Sequence, residues 1–78
     1  MEKFIVAYDT LENGEKVKRF HEDIYAVDPK KGAMNKYGEV ITSDKRKAKR
    51  FYDYGEAMRV GIFFAHHDFT SFHVLKVK

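Results

Sequence analysis

The chain has 78 residues, 44% of them hydrophobic and 35% charged, with no cysteine, no tryptophan and a single proline. That length supports one domain, residues 1–78, with a single layer of core. The missing thiols exclude a disulfide scaffold, cysteine-held zinc and thiol chemistry. The net charge of +3 is modest, but five of the fifteen basic residues fall within Lys45 to Arg50, so any pull on a polyanion is concentrated there. No stretch approaches the ~18 apolar residues of a membrane span, and MEKFIVAYDT lacks a secretory h-region, so no membrane partner is expected.

In chain order, Phe4-Ile5-Val6-Ala7-Tyr8 is a β-branched and aromatic run that predicts a strand closed by an Asn13-Gly14 hairpin turn. The residues from about Glu15 to Val27 alternate imperfectly, which predicts a long, half-exposed strand with a bulge near His21 to Asp23. Asp28 to Gly32 stops it. Tyr37-Gly38 reads as a second turn, with Val40 and Ile41 in a short strand after it. A short helical segment is then expected over Asp44 to Arg50, capped by Ser43 or Asp44. Asp53 offers a second N-cap with Glu56 at the acid position of a capping box. From there Tyr54, Ala57, Met58, Gly61, Ile62 and Ala65 recur at helical period, which predicts the buried stripe of a main helix from about Asp53 to His67. Gly61 in mid-helix costs ~1 kcal/mol of propensity, which close approach to a sheet would explain. Phe69 to Lys78 closes the chain as a strand, with Phe72 and Val74 on one face and Leu75 and Val77 on the other.

The fold class is therefore α+β: a small antiparallel sheet of about three to four strands packed on one main helix plus a short helical segment. The first and last strands are apolar on both faces, which places them centrally and side by side. One helix covers one face, leaving some of Phe4, Val6, Tyr8 and Phe72 exposed unless a partner covers them.

Two surfaces are candidate binding sites. On a helix, Lys45, Arg46, Lys49 and Arg50 would share an arc of roughly 140°, with Ala48 and Phe51 turned inward. Such a stripe is either a solvated face or a phosphate-binding one whose affinity falls steeply with salt. Tyr52 and Tyr54 just beyond it could stack on bases. On the main helix, Phe63 lies opposite the apolar stripe with Arg59, Val60 and His66 nearby. It either packs beneath the Ala33 to Tyr37 loop or forms a patch that marks a partner.

Catalytic patterns are poor. Ser43 and Ser71 sit in no nucleophile elbow, no glycine-rich phosphate loop opens a helix, and Glu22-Asp23 leave a strand on opposite faces. His66 and His67 point ~100° apart on a helix, while His21 and His73 stand alone and read as surface or strand-edge residues. No enzyme activity, cofactor or metal is expected.

Thr42-Ser43-Asp44-Lys45-Arg46-Lys47-Ala48-Lys49-Arg50-Phe51, Glu56-Ala57 and Val74-Leu75-Lys76-Val77 together resemble the pattern T-x-D-x-x-x-A-x-x-F … E-A … V-x-K-V, found in short proteins of bacteriophages and mobile elements. The resemblance implies a small cytoplasmic accessory protein of a bacterial host cell that acts by binding. The expected function is thus binding to a host macromolecule so as to inhibit or modulate it, with a host protein as partner. A nucleic-acid-binding module using the basic stripe is the alternative. A structural homo-oligomer, such as a homodimer joined through an uncovered sheet face, is a third reading.

Overall fold

A computed structural model describes residues 2–27, 36–68 and 71–77, of which 26–27, 36–37 and 66–68 are described by backbone alone. Strands β1 (Lys3–Glu12), β2 (Glu15–Val27), β3 (Lys36–Thr42) and β4 (Ser71–Val77) form one antiparallel sheet in the order β3-β2-β1-β4. Helix α1 (Tyr54–Asp68) packs on it, and a 3-10 turn (Lys45–Lys47) precedes the helix. This is a small α+β fold. Among the described residues no helix is long and apolar enough to cross a membrane.

The β1–β2 hairpin closes through Asn13 (φ 54°) and Gly14 (φ 79°), two consecutive left-handed residues whose twist suits the flanking strands. The expected bulge is present as a register shift between His21 and Asp23. It changes the strand's partner. Before it, β2 pairs with β1 as far as Phe20↔Ala7; from Phe20 onward β2 pairs with β3. The β2–β3 ribbon therefore leaves β1 as an arm, and a fork opens between the two.

Residues 48–51 fill that fork. The Lys49 amide donates to the His21 carbonyl at 2.9 Å, while Phe4 and Phe51 exchange two backbone hydrogen bonds of 2.7 and 2.8 Å. Ala48 and Phe51 consequently enter opposite faces of the sheet. On the α1 face, Val6, Tyr8, Phe51, Ala57 and Phe64 are buried, with Phe4, Val60, Phe72 and Val74 packed around them. On the other face, Ile5, Ala7, Phe20 and Ala48 are buried against Leu75 and Val77. Fully burying Ile5 or Val6 contributes roughly 1.5–3 kcal/mol each.

Five expectations change. The predicted two-turn helix over Asp44 to Arg50 is only the 3-10 turn, and its N-cap is Asp44, whose carboxylate accepts from the Arg46 amide. The backbone beyond Lys47 is used by β1 and β2 instead of by a helix. Tyr37-Gly38 lies inside β3 rather than in a turn. The Tyr25 ring crosses Gly38 so closely that a Cβ there would sit 2.2 Å from it. The buried face of α1 is rotated by about 80° from the predicted stripe, at 100° per residue. Ala57, Gly61 and Phe64 are buried while Ile62 is 47% exposed and Tyr54 also faces solvent, because the helix packs its aromatic Phe64 toward the fork. β4 pairs with β1 as expected, but as an edge strand and not a central one. Finally, Phe4, Val6, Tyr8 and Phe72 lie beneath α1, and the central residues of the opposite face are covered by the chain itself. The stop expected at Asp28 to Gly32, the Ala33 loop and Phe69 lie outside the described residues.

Candidate functional site

Because the arm leaves the sheet at the bulge, α1 does not meet it flush. Between them runs an open groove of about 570 Å³, lined by Ile24 of β2 and by Glu56, Arg59, Val60, Phe63 and Phe64 of α1. The five helix residues span one continuous arc of roughly 140°. Phe63 is 52% exposed and stands edge-on to Phe64, centroids 4.9 Å apart. Arg59 folds back along the helix, its Nε donating to the Gly55 carbonyl at 3.3 Å and its Nη2 lying 4.0 Å from Asp53. The walls are apolar and the rim carries one acid and one base.

The floor behind Phe64 is polar. His21 is fully buried between the rings of Phe51 and Phe64, each about 29° from parallel with centroids 5.8 and 5.9 Å away. Its Nδ1 lies 2.6 Å from Glu39 Oε2, and the Tyr8 hydroxyl donates to the same oxygen. Burial first, then the bond to Glu39 and its charge, push the Tyr8 phenol up, so it remains a donor. Glu39 Oε1 and His21 Nε2 are buried without a hydrogen-bond partner among the described residues. Tyr8, His21 and Glu39 come from three different strands and tie the arm to the body.

The sequence-predicted helix-face residues fare unequally. Arg59, Val60 and Phe63 are brought together on the groove, although Val60 is half-buried against the core rather than on an outer face. The side chain of His66 lies outside the described residues, as do those of His67 and Asp68. The basic stripe is not assembled as a helical face. Arg46 is paired with Asp44 at 3.2 Å. Arg50 donates to the Lys45 and Ala48 carbonyls at 3.1 and 2.7 Å, closing the turn. The Lys49 ammonium sits 5.6 Å from the Phe51 ring centroid. Lys45 is exposed. His21, read as a surface or strand-edge residue, is instead in the core, since it alternates with Phe20 onto the α1 face, where Phe51 and Phe64 cover it.

At the opposite edge, the Ser71 hydroxyl and His73 Nε2 both lie 3.0 Å from Asp9 Oδ2. The carboxylate sits in the middle of this trio, where a nucleophile–base pair would need the imidazole. It is a cross-strand clamp between β1 and β4. The Ser71 bond first, then the His73 bond, hold the Asp9 carboxyl below the usual carboxylate range. A depressed folded value means the clamp's stabilisation is present above the unfolded value of about 3.9 and is lost as pH falls through the folded one. Melting curves should therefore separate wild type from Asp9→Asn at pH 6, with the gap closing below about pH 4. A gap that persists unchanged in acid would mean Asp9 ionisation contributes nothing.

No known protein family, curated protein or solved structure matches this chain.

Sequence reasoning missed Phe64, Ile24, Tyr8, Glu39 and His21 as site residues. Only two signals bore on them. One was a phenol ending an otherwise apolar strand; the other was a histidine at the bulge beside the buried Phe20. Glu39 carried none.

Proposed function

We propose that this chain is a non-enzymatic binding protein that takes an apolar segment of a protein partner into the groove between α1 and β2. The single observation carrying this reading is the half-exposed Phe63 in an open, apolar-walled groove, beside a core that buries Phe20, Phe51 and Phe64. An aromatic anchor in a concave apolar site is what protein interfaces concentrate their energy on. Glu56 on the rim repels phosphate, and a rim that carries both an acid and a base suits a protein surface better than a polyanion. The resemblance of residues 42–77 to short phage proteins supports a host protein as the partner, with its modulation or inhibition as the outcome, in the cytoplasm of a bacterial cell.

Nucleic-acid binding through Lys45, Arg46, Lys49 and Arg50 is the second reading. Exposure of Lys45 and Lys49 favours it, while the engaged guanidinium groups of Arg46 and Arg50 weaken it.

One capture experiment separates the two. Immobilised wild type and Phe63→Asp are exposed to nuclease-treated bacterial lysate, and retained proteins are quantified. The expected result is a protein retained by wild type and reduced at least about tenfold on Phe63→Asp, as loss of a ~1.4 kcal/mol or larger contact requires. Phe63→Asp should melt within a few degrees of wild type, since the side chain is half in water. Equal retention by both proteins, or loss of every partner with nuclease, would overturn the groove reading.

A further inference from the structure

We propose that β4 is a self-association edge, along which two copies pair their β4 strands antiparallel about a twofold axis at Val74 to make one eight-stranded sheet. The inner side of β4 is hydrogen-bonded to β1 in an unbroken register from Lys3↔Val77 to Asp9↔Ser71. Its outer side has no strand partner among the described residues. An edge of this kind is normally blunted by proline, a bulge, shortness or free charge. β4 has seven residues with no proline, glycine or bulge. It is apolar on both faces, with Phe72 and Val74 on one and Leu75 and Val77 on the other, all of them only half-buried. Lys76 is its one full cation, and its ammonium is already held by Glu2 at 2.8 Å.

The strand is also complementary to itself. In a twofold antiparallel pair, facing residues must lie on the same side of the sheet, so the axis passes through or beside a residue of fixed parity. Centred on Val74, the middle of the strand, Val74 faces its own copy, Phe72 faces Lys76 of the second copy, and His73 faces Leu75 of the second copy. No like charges oppose each other, and each lysine stem lies against a phenyl ring. The other edge, β3, offers a poorer template, because it carries Gly38 and turns Glu39 into the core. The groove opens on the β2 side of α1, away from the β4 edge, so pairing leaves both grooves open. This inference is independent of the partner proposed for them.

The chain has no cysteine, so Val74→Cys introduces its only thiol. Under mild oxidation Val74→Cys should form a disulfide-linked dimer at least about tenfold faster than His73→Cys, since facing Cα atoms about 4.5–5.5 Å apart suit the bond. Wild type should pass from monomer to dimer in sedimentation velocity as concentration rises. Over the same range the outward amides of β4 should gain protection from hydrogen exchange. Three results would each overturn the proposal: a strict monomer at the highest soluble concentration, a dimer with unprotected β4 amides, or equal cross-linking at positions 73 and 74.

Discussion

Glu39→Ala is expected to destabilise the protein by about 3–5 kcal/mol, the scale for stranding buried partners of a lost charge. The Tyr8 hydroxyl and His21 Nδ1 both end on Glu39 Oε2, so one truncation leaves two buried donors without an acceptor. At roughly 4–8 °C per kcal/mol for a domain of this size, the melting temperature should drop by at least about 12 °C. Since total stability is on the order of 5–15 kcal/mol, such a loss takes a large share of it. Glu39→Gln retains one acceptor oxygen and should lose less. Combining Tyr8→Phe, His21→Leu and Glu39→Met should recover most of the loss, because the desolvation cost of the charge goes with it. Thermal and urea melts of the three variants and wild type provide the comparison. If Glu39→Ala melts within about 2 °C of wild type, the carboxylate does not hold the arm to the body. The raised Tyr8 phenol adds a second signature. Its stabilisation is present below the unfolded value of about 10 and fades as pH climbs beyond it toward the folded one, so wild type should weaken in alkali more than Tyr8→Phe.

Gly61→Leu is expected to cost about 1–3 kcal/mol by overpacking, even though removing a mid-helix glycine should return up to about 1 kcal/mol of propensity. A Cβ at position 61 would lie 2.3 Å from Phe72 Cδ2 and 2.4 Å from Cε2, so the ring or the helix must move. Phe72 stands on the edge strand, where the ring has some room to swing, which keeps the expected cost below that of a sealed core. Pairing Gly61→Leu with Phe72→Ala should reveal coupling of at least about 0.5 kcal/mol in a double-mutant cycle. A Gly61→Leu melt equal to or above wild type would remove the helix–strand contact from the account of the fold.

Local chemistry was legible where one short segment carried it. Asn13-Gly14 encodes a turn that needs two left-handed residues, and the chain supplies it. The lapse in alternation around His21 to Asp23 marked the bulge. The Asp53 cap was readable too: its carboxylate accepts from the Gly55 amide at 3.1 Å and its carbonyl from the Ala57 amide. Gly61 announced its own close contact, because a glycine in mid-helix is costly unless something occupies the space of its side chain.

The rotation of α1 was not legible in the same way. Periodicity measures the angle between residues on a helix but not the direction from which cover arrives. Two faces of comparable apolarity existed, one through Met58 and Ile62 and one through Val60 and Phe64. The fork at the bulge selected the second, because only there did the His21 ring, backed by Phe51, stack on Phe64. That choice moved Phe63 from the back of the helix to the lip of a groove.

By itself the sequence determined the α+β class, the hairpin, the bulge, the existence of the main helix and the tight seat of Gly61. Each of these rests on conformational preferences that act within a few residues. Only the tertiary structure decided that Lys45 to Arg50 is a turn and an irregular fork-filling segment instead of a basic helix, since the open backbone groups of Phe4 and His21 outbid two turns of local helix. It alone brought Tyr8, His21 and Glu39 onto a shared oxygen, and Ile24 opposite Phe63. Those residues are separated by 13 or more positions, and no local preference reaches across such a distance. Their meeting is set by where β2 exchanges one partner strand for the other.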